Sequence, residues 1–207
     1  MGDGFEDVRE RLAYFNEGVV TLHPPASDEL IRRSEERLSF EFPPSMRRSL
    51  LTHNGIEIGD FRTFGVPPER LLNHRFPTIP LFDETARWFE GMTEFPGELG
   101  PPANARVKAA ASQILVVAEP LPGDVYAMLI GCADERGEYP IGWVDHETND
   151  IAVVASTYER LLWFEADDQT RQLDPDGEWL DNMNTPFMRD YEWMLRMDPE
   201  LAPWITA

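Results

Sequence analysis

The sequence predicts an α+β fold, an antiparallel sheet of about five or six strands with helices packed mainly on one side. Three observations carry that expectation. Four apolar runs, Ile114 to Ala118, Asp124 to Ile130, Ile141 to Asp145 and Ile151 to Ala155, follow one another with turn chemistry between them, as neighbouring strands of a meander do. Ahead of them Ile56-Glu57-Ile58 alternates as a strand does, Gly59-Asp60 makes a turn, and Phe61 to Val66 resumes as a second strand. Helix-period apolar patterns stand at both ends of the chain and before the first strands.

The elements follow in order. Phe5, Val8, Leu12 and Phe15 recur at helical spacing and predict an N-terminal amphipathic helix running to Gly18. His23-Pro24-Pro25 links it to a helix starting at Ser27, whose hydroxyl can cap the first turn while Asp28 and Glu29 sit at the positive end of the helix dipole. Leu30, Ile31 and Leu38 give that helix its buried face. A second helix starts at Pro43-Pro44, where a missing N–H costs nothing. It buries Met46, Leu50 and Leu51 and stops at Asn54-Gly55 in a left-handed turn. Pro67-Pro68 ends the second strand and opens a short helical turn at Leu71-Leu72.

Residues 77–105 are rich in Pro and Gly around a helix from Asp83 to Glu90, and read as a long insertion whose Trp88, Phe89 and Phe95 need either the body or a partner to cover them. Glu147-Thr148-Asn149-Asp150 closes the last hairpin. Ser156 and Glu159 form a capping box, and the helix that follows buries Tyr158, Leu161, Leu162 and Phe164 against the sheet. Beyond Glu165 the density of carboxylates, beginning with Asp167 and Asp168, indicates a surface loop. Thr185-Pro186 then opens a final helix with Phe187, Tyr191, Met194 and Leu195 on one stripe, docking before Pro199.

At 207 residues the chain suits one domain with additions. The expected organisation is an N-terminal helix over 1–21 packing on the main domain, a main domain over 22–165 with the insertion at 77–105, and an acidic extension over 166–207 ending in a helix. No apolar run approaches the roughly 20 residues that cross a bilayer, and the opening has neither the basic start nor the apolar stretch of a secretory signal, so a soluble cytoplasmic protein is expected. Cys132 is the only cysteine, which excludes an internal disulfide. Asp134 and Glu135 follow it and oppose a reactive thiolate, so it reads as a small buried residue.

The formal net charge is −20. Nucleic acid is repelled by such a surface, because a phosphate backbone demands clustered Lys and Arg, whereas Arg32-Arg33 and Arg47-Arg48 lie on helices expected to pack. A cationic partner is favoured, unless the acidity serves solubility alone. Asp145-His146-Glu147, with His53, Asp60 or Asp124, is the one group that invites catalysis. Adjacent strand residues point to opposite faces, however, and a hairpin turn is the simpler reading. The four histidines lack metal-ligand spacing. Residues 174–182 resemble a calcium loop but lack the Gly at its sixth place and the closing Glu. No phosphate-binding or nucleophile-elbow motif occurs. The expectation is a non-enzymatic protein with no catalytic residue, no metal and no cofactor.

The order of these elements carries a resemblance. A charged helix, a short link into Pro, a second helix ending in Asn54-Gly55, the strand Gly123-Asp124-Val125-Tyr126, the Asp145-His146-Glu147 turn and a closing aromatic helix together resemble the SUKH superfamily, and within it the Smi/Knr-like branch, over about Leu22 to Glu165. The chain departs from the pattern in carrying Ser39 and Ile56 where members often have Gly, and Leu121-Pro122 on the approach to the strand. The resemblance implies a protein-binding module without catalytic residues. In bacteria that means an immunity protein covering a toxin domain, here a basic, nuclease-type one; the alternative is a regulatory scaffold like the fungal relatives, and a small hydrolase comes third. The residues expected to face the partner are the loop carboxylates Glu57, Asp60, Asp134, Glu135, Glu138, Asp145 and Glu147, with Trp88 and Trp143 as apolar anchors. Monomer and dimer both stay open.

Overall fold

The computed structural model describes residues 4–66 (4 and 5 as backbone alone), 114–120, 124–144, 151–180 and 190–205. Among them seven strands form one antiparallel sheet in chain order: β1 Val20–Leu22, β2 Ile56–Ile58, β3 Phe61–Thr63, β4 Ile114–Glu119, β5 Val125–Leu129, β6 Ile141–Val144 and β7 Ile151–Ala155. The meander is as expected, with one strand more than the sequence indicates. That strand is β1, three residues paired to β2 in the register Val20↔Ile58 and Leu22↔Ile56 and too short to show a period of its own. Every position of β5 and β6 is buried, so both faces of the sheet centre are covered. Tyr126 and Trp143 stand opposite each other in register and therefore share a face.

Three helices precede β2. Helix α1, Gly4–Leu12, stops short of the expected Gly18 and runs into turns. In α2, Asp28–Leu38, Ser27 Oγ accepts the Leu30 N–H at 3.2 Å as the sequence indicates, and Ile31 and Leu38 are buried while Leu30 is half-buried. The left-handed residue at its end is Ser39, φ 51°, the one non-glycine with positive φ among the described residues. Helix α3, Pro44–Thr52, opens at the Pro pair and buries Met46 and Leu50, one turn apart on one face. Leu51, about 100° further round the helix, is exposed, contrary to the expectation from sequence.

Asn54-Gly55 does not close α3 in a left-handed turn. His53 ends the helix in extended backbone, and Asn54 turns its side chain inward, where the amide donates to Val66 O and accepts from Val66 N, each at 2.7 Å. Gly55, φ 123°, then admits the chain to β2 in a space where a Cβ would stand 3.1 Å from the His23 ring.

Helix α4, Tyr158–Gln172, departs furthest from expectation. Its cap is Thr157, whose Oγ accepts the Arg160 N–H at 3.2 Å; Ser156 is occupied elsewhere. The surface loop expected beyond Glu165 is about two further turns of this helix, mostly buried, with Glu165, Asp167 and Asp168 each 4% exposed or less. These carboxylates tolerate burial because each has partners. Glu165 accepts from Tyr126 OH, which places α4 on the Tyr126 face of the sheet. Asp168 accepts from Gln172, and Asp167 pairs with Arg11 of α1 and Arg171. On the outer side Trp163 stacks on Trp193 of α5, Tyr191–Met197, at 6.0 Å, with Arg11 over the first ring and Arg171 over the second. Helix α5 opens at Tyr191 and not at Pro186, because Asp190 stands outside the helix and caps it, Oδ1 accepting the Trp193 N–H at 3.0 Å; it buries Met194 and ends before Pro199 as expected, and a 3₁₀ turn, Pro199–Leu201, and α6, Ala202–Ile205, complete the chain's described part. The expected elements at Pro67-Pro68, Leu71-Leu72, 77–105, 147–150 and Thr185-Pro186 lie outside the described residues.

Candidate functional site

The carboxylates expected to face a partner fall into two surface regions and the interior. The first region is the β2–β3 turn, where Glu57 and Asp60 come together. Glu57, Arg62 and Glu119 are paired in register across β2, β3 and β4, so all three project from one face of the sheet. With Gly59, Asp60 and Phe61 they line a groove of about 200 Å³. Arg62 Nε donates to Glu119 at 2.7 Å, His23 Nε2 lies 2.6 Å from Glu57 Oε1, and Asp60 is exposed at the turn. Among the described residues, three carboxylates and one guanidinium thus line this groove, with Glu119 the one that pairs with Arg62.

The second region is the turn over 134–138. Asp134 Oδ1 accepts the Arg136 and Glu138 N–H groups at 2.8 and 2.9 Å. Partial burial works against its charge, but those N–H groups and the Arg136 guanidinium hold its pKa below the ordinary value. Glu135 is exposed at the tip. Glu138 is not a surface residue, contrary to expectation. It is 6% exposed and takes the Ser45 N–H on Oε1 at 2.8 Å and the Ser45 hydroxyl on Oε2 at 2.6 Å. Because Pro43 offers no side-chain cap, Glu138 caps α3 from 93 residues away.

Asp198 repeats the device at the head of α4, receiving the Ser156 N–H and hydroxyl, both at 2.8 Å. Burial raises the pKa of Glu138 and of Asp198, and the serine bonds oppose it. Glu138, Ser45 and Asp198 lie in the wall of one cleft of about 600 Å³, lined also by Asp7, Arg48, Arg136, Glu159, Arg160, Trp163, Pro199 and Glu200. Sequence reasoning missed this cleft. Its residues come from both ends and the middle of the chain with no shared spacing, and only the serines following Pro44 and Ala155 hint at it.

Trp143 is interior too, 4% exposed, with Nε1–H donated to Asp124 Oδ2 at 3.2 Å, which removes it as an exposed anchor. Trp88, Asp145 and Glu147 lie outside the described residues, as does His146. Of the residues grouped with them, His53 is half-buried, and burial first, then the Arg9 charge, lowers its pKa. Cys132 is buried. Among the described residues no group of three His, Cys, Asp or Glu is arranged to hold a metal ion, and no helix is long and apolar enough to cross a membrane.

A family model described as SMI1 / KNR4 family (SUKH-1) matches residues 25–162. The chain belongs to this family. No curated protein matches it. The SUKH-1 match begins just ahead of α2 and ends inside α4, so it includes α2, α3 and β2 to β7, the β2–β3 groove and the 134–138 turn. Helix α1, β1, residues 163–172 of α4, α5, α6 and the Asp198–Glu200 wall of the cleft stand outside it.

Proposed function

We propose that this SUKH-1 protein is a non-enzymatic immunity protein that neutralises a basic, nuclease-type toxin domain by binding it. The observation that carries the reading is the β2–β3 groove, lined by Glu57, Asp60 and Glu119 against the guanidinium of Arg62, on a chain of net charge −20. A nuclease holds phosphate with clustered Lys and Arg, and a surface with surplus carboxylates covers that cluster by charge and by steric exclusion. Asp60 and Glu135 are exposed, and Glu57 and Asp134 half-exposed, which fits contact residues.

Native pull-down with mass spectrometry tests the reading, together with inspection of the neighbouring genes. The expected result is capture of the toxin domain of a large exported protein encoded beside it. Capture of ordinary cellular proteins alone, without such a neighbour, would replace immunity with the regulatory scaffold.

A further inference from the structure

The 600 Å³ cleft between the heads of α3 and α4 carries three of the chain's arginines, Arg48, Arg136 and Arg160, and five carboxylates. What it can bind depends on which of these groups already have partners. Both oxygens of Glu138 are taken by Ser45, and both of Asp198 by Ser156. Glu159 receives Arg48 on both oxygens, at 3.5 and 2.7 Å, and Glu200 receives Arg136 on both, at 3.0 and 2.5 Å. Four of the five acids are therefore satisfied internally, and the fifth, Asp7, sits on the exposed side of α1.

Arg160 is the opposite case. Half-buried in the wall, it has no hydrogen-bonded or ion-paired partner among the described residues; Asp198 feels its charge, but both oxygens of that carboxylate are bonded to Ser156. A guanidinium carries five N–H donors in a planar fork matched to a carboxylate. Trp163, Pro44 and Pro199 give the cleft apolar wall area that would flank the stem of an entering side chain.

We propose that this cleft receives a carboxylate presented by a protein segment, with Arg160 as its bidentate partner. This goes beyond the basic-partner reading and does not depend on it, since the groove at the β2–β3 turn and the cleft are lined by different residues.

The test is an NMR titration of the full chain, following the arginine Nε–H signals and the amides of residues 157–161. Three blocked tripeptides serve as probes: acetyl-Gly-Glu-Gly amide, acetyl-Gly-Gly-Gly with a free C-terminus, and acetyl-Gly-Gln-Gly amide as control. The expected result is saturable movement of Arg160 and the 157–161 amides with one or both carboxylate probes and not with the Gln probe. A response to the first alone identifies a side chain as the ligand, and to the second alone a chain terminus. Arg160→Gln should weaken the response at least about tenfold, Arg160→Lys should retain part of it, and Arg37→Gln, exposed on α2 outside the cleft, should leave it intact. Movement equal for all three probes, shared evenly by all arginines, or persisting in both Arg160 variants would overturn the proposal, as would no movement at all. None of these results bears on whether a basic toxin is captured.

Discussion

Glu165 lies beneath α4 with Tyr126 OH donating to it, and burial pushes its pKa up to about 8, the Tyr126 bond opposing and the Asp168 charge adding. Folded protein therefore keeps this proton through neutral pH, whereas the unfolded chain loses it near the ordinary value of 4.5. The folded state binds more protons at this group between those limits, so the contribution of Glu165 to stability falls as pH rises from about 4.5 to about 8 and is level above. Glu165→Gln removes that slope and keeps an acceptor for Tyr126. Urea unfolding at pH 5, 7 and 9 should show the variant gaining on the parent with rising pH, by on the order of a few kcal/mol at pH 9; a difference constant with pH would mean that Glu165 titrates normally. Glu138 poses a different problem, since its carboxylate serves two donors of Ser45 at the head of α3. Glu138→Ala should cost about 1 to 3 kcal/mol by leaving those donors buried, and Glu138→Gln less, because one acceptor remains. If both variants unfold at the parental denaturant midpoint, the cap contributes nothing.

At the scale of an element, Ser39 shows what a side chain costs at a left-handed helix end. The residue ends α2 at φ 51°, where a Cβ is strained and glycine is not. Ser39→Gly should raise stability by about 1 kcal/mol, read as a higher thermal midpoint, and a lower midpoint would show that the serine side chain compensates for its backbone. Gly55→Val should do the reverse, by roughly 1 to 3 kcal/mol, since φ is 123° and the added Cβ meets His23 at 3.1 Å. Elements whose signal is local were legible in the sequence. Ser27 as a cap, Pro44 in a first turn, the alternation of β2 and the apolar runs of β4 to β7 all depend on neighbours in the chain. Elements settled by distant partners were not. Asp167 and Asp168 look solvated beside Glu165, and only Arg11, Arg171 and Gln172 make their burial tolerable. Thr157 caps α4 in place of Ser156 because Asp198, 42 residues on, holds that serine. The candidate site divides in the same way, with Asp60 and Glu135 readable as exposed turn residues while Glu138 and Trp143 were drawn inward by Ser45 and Asp124.

For the whole molecule the question is whether a net charge of −20 does more than keep the chain in solution. If a cationic domain is the partner, the summed field speeds encounter at low salt, and the association rate falls as ionic strength rises because screening shortens the field to about 8 Å near physiological salt. The acids that contribute to steering must be exposed, which removes Glu138 from the set and leaves Asp60 at the β2–β3 turn and Glu135 at the 134–138 turn as the clearest tests. Neither has a hydrogen-bonded partner among the described residues, so reversing them disturbs no cap or ion pair. The double variant Asp60→Lys with Glu135→Lys should keep the parental thermal midpoint. It should also slow association with the captured partner about tenfold or more at low salt while changing the dissociation rate little, the pattern of charges that steer without being buried. Stopped-flow or surface-plasmon kinetics across a salt series reads both rates. A tight complex whose association rate ignores salt and both reversals would transfer the interface to apolar contacts, with the acidity left to solubility; a change confined to dissociation would place these carboxylates inside the contact instead of around it.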